Sequence, residues 1–221
     1  MHPYLKPLEK LFKSKADPER AEKMSLYMRN QFDYWGIMSP VRKELERQFI
    51  NEYGLPDIKD LKKITKDLWS LPQREYQYTA ILLVSRTKRH WKEDMIPLFE
   101  YLIKTKSWWD TVDGVAPSLA GHYFKKFGGA KEVTGRWIES DDFWFRRSAL
   151  IFQLKYRNTT DWKLLYSYIK KCNHEDEFFI RKAIGWSLRE YAKWNPESVK
   201  KFVANTKLKP LSVKEALKHI G

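Results

Sequence analysis

Three segments of the chain open on a pair of aromatic residues at a fixed interval. They are WWDTVDGVAP from 108, FWFRRSALIF from 143 and FFIRKAIGWS from 178, each starting 35 residues after the last. One further step back lands at 73, in QREYQYTAILL, directly after Pro72. Self-similarity at such a period marks a repeat array, in which no unit can bury its apolar face alone and neighbours must stack to build a core. Each aromatic start is followed by further helical pattern and then by a second helical stretch, so the unit is a helix pair. At this period the 221 residues hold about six pairs, which predicts a solenoid with a long concave surface.

Helix punctuation supports the same reading. Asp17-Pro18, Ser39-Pro40 and Asn195-Pro196 each set a capping side chain before a proline suited to the first helical position. Ser212 and Glu215 have capping-box spacing, and Asp57 precedes Asp60 in a similar way. Between such signals apolar residues recur at three and four, as in Leu61, Ile64, Leu68 and Leu71. Glycine is scarce, and the one Asp-Gly pair, Asp113-Gly114, is followed by AP rather than by a strand. The expected fold is an all-α, HEAT-like helical-repeat solenoid. No linker or low-complexity segment interrupts it, so residues 1–221 are expected to form a single domain.

Charge narrows the partner. The formal net charge is +14, with a pI near 9.6. Such an excess favours a polyanion, because each phosphate neutralised by Lys or Arg releases condensed counterions. A concave basic groove is therefore expected. The single cysteine, Cys172, allows no intrachain disulfide. The opening MHPYLKPLEK lacks the pattern of a signal peptide, and the strongest apolar run, AILLV at 80–84, is too short to span a membrane. These features predict a soluble, cytoplasmic protein of the cytosol or nucleoid in a bacterial-type cell, acting as a monomer.

Most catalytic chemistries find no support. The five histidines are scattered, no HExxH or CxxC occurs, and Cys172 with His174 makes a poor chelate, so no metal or cofactor is expected. GxxxxGK[ST], GxGxxG and GxSxG are all absent. The carboxylates Glu139, Asp141 and Asp142, and Glu175, Asp176 and Glu177, immediately precede aromatic starts and read as helix caps and dipole partners.

KSWWDTVDGVAP at 106–117 differs from these. If a helix begins near Ser107, Trp109 and Asp113 share one face, one turn apart, while Trp108 turns to the core. Pro117 removes an N–H, so the helix should kink there, and Gly114 loosens the same turn. A carboxylate in a phosphate-seeking groove repels DNA, so its presence needs another purpose, and stabilising a cation is one. Drift within a degenerate repeat is the other explanation. Arg146 and Arg147, with Arg181 and Lys182 at the equivalent positions 35 later, would form a basic stripe along the concave helices.

With FWFRRSALIFQLKY at 143–156 and FFIRKAIGWSLREYAKWNP at 178–196, this stretch resembles the AlkD-like DNA alkylation repair enzymes. These are HEAT-like-repeat DNA glycosylases that remove N3- and N7-alkylated purines. YMRNQF at 27–32, LWSLPQREYQYTA at 68–80 and PLSVKEALKHI at 210–220 extend the likeness over nearly the whole chain. The resemblance implies Asp113 as the catalytic acid and Trp109 and Trp186 as the tryptophans of the lesion-facing cleft. It further implies Arg147 as an arginine holding DNA backbone, and Tyr27 as an aromatic from the N-terminal repeats. Glycine at 114 departs from the family's helical segment.

The activity so implied is excision of 7-methylguanine or 3-methyladenine from double-stranded DNA in base excision repair. It would need no base-flipping pocket. The alternatives are a non-catalytic scaffold for branched or structured DNA, a protein-binding solenoid, which the charge disfavours, and an RNA binder, which only the resemblance disfavours.

Overall fold

The computed structural model describes residues 1–220. Among them there is no strand, only an isolated parallel bridge between Asp33 and Gln73, and the all-α expectation holds. The chain divides into two compact units, Met1–Asp94 and a second from Met95 onward.

The first unit contains α1 (Lys6–Lys13), α2 (Pro18–Tyr27), α3 (Ser39–Tyr53), α4 (Ile58–Ser70) and α5 (Arg74–Arg86). Its core is built from Leu8, Phe12, Phe49, Leu61, Leu68 and Trp69, all essentially inaccessible. The segment between α2 and α3 is held from beneath by the buried Glu75. Its carboxylate accepts the backbone N–H groups of Trp35 and Ile37, both at 3.1 Å. Tyr27, the last residue of α2, is 74% exposed.

The second unit contains α6 (Ile96–Lys104), α7 (Trp109–Val115), α8 (Gly121–Phe127), α9 (Ala130–Ile138) and α10 (Phe143–Ile151). It continues with α11 (Trp162–Cys172), α12 (Phe178–Ala192), α13 (Pro196–Asn205) and α14 (Pro210–Leu217). Helices α5, α7, α10 and α12 start at 74, 109, 143 and 178, within a residue of the period read from the aromatic pairs. Side chains also bond one repeat ahead. Thr134 pairs with Tyr168, 34 residues on, and the Tyr156 hydroxyl donates to the Gly121 carbonyl, 35 residues back. Such nearest-neighbour stitching is how a repeat array distributes its stability.

The caps follow the sequence closely. Asp17, Asp57 and Asn195 accept the backbone N–H groups of Arg20, Lys59 and Ser198. Of the acids before the aromatic starts, Asp142 caps α10 and Glu177 caps α12. Two expectations need correction. Ser39 is the first residue of α3 rather than its cap, which is Met38. Ser212 and Glu215 form no capping box, because Pro210 starts α14 two residues earlier. Ser212 Oγ instead donates to the Arg181 carbonyl at 3.0 Å.

The kink expected at Pro117 falls on a local change of helix type. The helix runs from α7 into α8 through a π turn at Ala116–Ala120, closed by the Gly121 N–H reaching the Ala116 carbonyl five residues back. One wide turn accommodates the missing proline N–H without ending the helix.

Gly185 lets α14 lie directly on α12: a Cβ there would overlap Glu215 Cβ and stand 2.9 Å from the Ser212 carbonyl oxygen. Gly185→Ala should therefore destabilise the protein by about 1–3 kcal/mol, the usual cost of overpacking. The shift in urea midpoint at unchanged m value would show it. An unaltered midpoint would mean that α14 can move away freely.

Candidate active site

Three helices of the second unit bring the chemistry together. Trp108 is extended and precedes α7, so Trp109 and Asp113 occupy successive turns of one face, as their spacing predicted. Asp142 caps α10 and directs Arg147 from its second turn towards α7. On α12, Phe178, Lys182, Trp186 and Arg189 are spaced four, four and three apart and form one stripe. The result is a cleft of about 250 Å³ lined by Trp109, Asp113 and Arg147 together with this stripe, Phe179, and Glu215 from α14. Trp109, Asp113 and Trp186 thus converge. The cleft is modest in size and open to solvent.

Arg147 is the centre of this arrangement. Its Nε donates to Asp113 Oδ1 at 2.9 Å and its Nη2 to Oδ2 at 2.7 Å, a bidentate pair. Its Nη1 donates to the Phe179 carbonyl at 2.5 Å. One guanidinium therefore ties α7, α10 and the start of α12 together while only 4% exposed. Burial pushes the Asp113 carboxyl above the ordinary range, and the Arg147 charge and hydrogen bonds pull it partly back. Gly114 stays within α7, so Asp113 keeps its helical placement.

The other expected basic residues divide. Lys182 lines the cleft and donates to Glu215 Oε1 at 2.8 Å. Arg146 and Arg181 do not line it. Arg146 pairs through Nε and Nη2 with Glu175, at 3.0 and 2.8 Å, and donates to the Ser140 carbonyl. Consecutive helical residues point about 100° apart, so Arg146 cannot share the face of Arg147, nor Arg181 that of Lys182. Tyr27 belongs to the first unit and is described there. Trp108 packs against Trp144 and Phe179, with centroids 6.0 and 5.4 Å away, as befits a packing residue.

Phe178, Arg189 and Glu215 were not singled out from the sequence as site residues. Arg189 donates from Nη1 to Glu215 Oε2 at 2.5 Å, so Glu215 bridges both cations. The hydrogen bond of Lys182 leads in holding the Glu215 carboxyl below the usual range, with Arg189 adding to it. The spacing of Phe178 and Arg189 along α12 was a signal available in the sequence. Glu215 had none, since its position depends on how α14 docks. No group of three or more His, Cys, Asp or Glu among the described residues could hold a metal ion. No described helix is long and apolar enough to cross a membrane.

The family described as DNA alkylation repair enzyme matches residues 8–220. The chain belongs to that family. A solved structure described as a predicted DNA alkylation repair enzyme from Enterococcus faecalis is 33% identical. It superimposes with a TM-score of 0.87, over 93% of this chain and 97% of that one. The smu.31 protein of Streptococcus mutans, 20% identical, gives a TM-score of 0.62 over 81% of this chain and 92% of its own. AlkD2 of Streptococcus mutans, also 20% identical, gives 0.60 over 80% and 86%. At that identity these two show the shared helical-repeat fold alone. Among curated protein sequences none matches this chain. As a member of the DNA alkylation repair enzyme family, the chain carries a partly buried acid and a cleft faced by indoles.

Removing Arg147 alone would leave that acid without its counterion. Arg147→Met should cost about 3 kcal/mol, and adding Asp113→Asn should restore part of the loss. A double-mutant cycle on urea midpoints measures the coupling. Simple additivity of the two losses would mean that the pair contributes nothing beyond its separate contacts.

Proposed function

We propose that the chain acts, as one domain and as a monomer of the cytosol, as a DNA glycosylase on cationic N3- and N7-alkylated purines in duplex DNA. The observation that carries this reading is an aspartate clamped by a buried arginine in a cleft walled by Trp109 and Trp186. A pure DNA binder has no use for a carboxylate facing phosphates. An enzyme that must stabilise positive charge does.

Alkylation at N7 of guanine or N3 of adenine makes the base cationic. When the bond from C1′ to the base nitrogen breaks, its electron pair neutralises the base, so no strong general acid is needed. Positive charge then develops on the sugar. Asp113 as the anion stabilises that oxocarbenium character, and it orients a water whose oxygen bonds to C1′ and whose proton passes to the carboxylate and on to solvent. Trp109 and Trp186 present faces that attract cations, each worth about 0.5–2 kcal/mol according to desolvation. Arg147 acts chiefly by fixing both oxygens of Asp113. The 4% of it left exposed gives backbone phosphate little access to its remaining N–H groups. Lys182 in the cleft and the exposed Tyr27 on α2 are the residues we assign to DNA contact. Phosphate contacts position the duplex without reading sequence, so the lesion is selected by its charge and reactivity.

Single-turnover release of 7-methylguanine from a duplex oligonucleotide should fall by about two orders of magnitude in Asp113→Asn, the usual consequence of losing one such stabilising group, with no loss of DNA affinity. No release by either protein, with tight binding to junction DNA, would make the chain a scaffold. The pH profile offers a second check. Asp113 must be ionised to act, so release should be full at neutral pH and be lost as pH falls through its raised value, above the roughly 4 of an ordinary aspartate. An acid limb at or below that ordinary value would assign the titration to another group.

A further inference from the structure

The cleft holds three cations, and they are not equivalent. Arg147 is buried and committed to Asp113 and Phe179. The side chains of Lys182 and Arg189 are 37% and 19% exposed, and their charged contacts are with Glu215. Lys182 spends one of its three donors on Glu215 Oε1, and Arg189 spends Nη1 on Glu215 Oε2 and the Glu215 carbonyl. Among the described residues nothing else engages the Arg189 Nε and Nη2 groups or two of the Lys182 hydrogens, which leaves them for a ligand. A carboxylate bridging two cations through its two oxygens has the charge and bite of a phosphodiester bound in the same way.

Building on the reading that this cleft works on DNA, we infer that Lys182 and Arg189 form a subsite for one DNA phosphodiester, and that Glu215 holds the subsite until DNA displaces it. The geometry places this subsite in the same cleft as Asp113, which would fix the backbone next to the reacting nucleotide. Glu215 also weakens binding. Two cations already partnered by an anion release less counterion when DNA arrives, so affinity for undamaged duplex is held down. α14, through Glu215, thereby tunes how firmly the enzyme grips DNA it has no reason to keep.

The test measures binding of an unmodified duplex by fluorescence anisotropy over a range of salt concentrations, for the full chain and two variants. Glu215→Gln should bind roughly fivefold more tightly at low salt, the equivalent of one surface ion pair, and the slope of log Kobs against log salt should steepen by about one unit. Lys182→Met, which leaves the Arg189–Glu215 bond in place, should bind more weakly with a slope shallower by about 0.9. Far-UV circular dichroism checks that α14 survives in each. Unchanged or weaker binding by Glu215→Gln, or an unmoved slope in Lys182→Met, overturns the subsite. If 7-methylguanine is still released while both slopes stay put, this inference fails and the glycosylase reading stands. If the unaltered protein binds no duplex, both fail.

Discussion

The second unit is organised around the bidentate contact between Arg147 and Asp113. Taking an arginine and an aspartate out of water is costly, and their attraction offsets that cost only with good geometry and the remaining donors satisfied. Here both carboxylate oxygens are matched by guanidinium N–H groups and a further donor reaches the Phe179 carbonyl. The same atoms that hold three successive repeats in register also aim the acid. Stability and the site share one interaction, so neither can be altered without the other.

The electrostatic pattern follows from this. A chain of +14 has no shortage of cations, yet those of the cleft are largely engaged by partners: Arg147 by Asp113, Lys182 and Arg189 by Glu215. The cleft is therefore much less positive than the composition suggests. That suits a centre that must tolerate a positively charged base and a developing sugar cation, since an uncompensated arginine beside them would oppose the charge the site is built to receive. Long-range attraction for DNA falls to the lysines and arginines elsewhere in the chain.

Much of this could be read from the sequence because repeat length and helix spacing are local properties. The aromatic pairs at 108, 143 and 178 mark helix starts, and Trp109 and Asp113 share a face because they are four apart. Asp142 and Glu177 are caps because of where they stand before those starts. The failures are failures of locality. Arg146 and Arg181 adjoin Arg147 and Lys182 in the chain, but a helix turns adjacent positions to different faces, and they do not line the cleft. Ser212 and Glu215 matched a capping pattern, but Pro210 moved the helix start and the docking of α14 at Gly185 drew Glu215 across to α12. The pairing of Arg147 with Asp113 was not foreseen either, since the two stand 34 positions apart and nothing in the stretch between them announces it.

That separation sets a rule for how such a chain can vary in length. Residues 114–146 must carry the backbone out of α7, through the π turn, α8 and α9, and back so that Arg147 arrives opposite the aspartate. An insertion inside a helix there would rotate everything after it by about 100° per residue and swing the guanidinium away from its partner. The turns between helices can absorb added residues and the helices cannot. The π turn is the exception inside a helix: it takes one residue more than an α turn, so the phase that brings Arg147 to Asp113 depends on it.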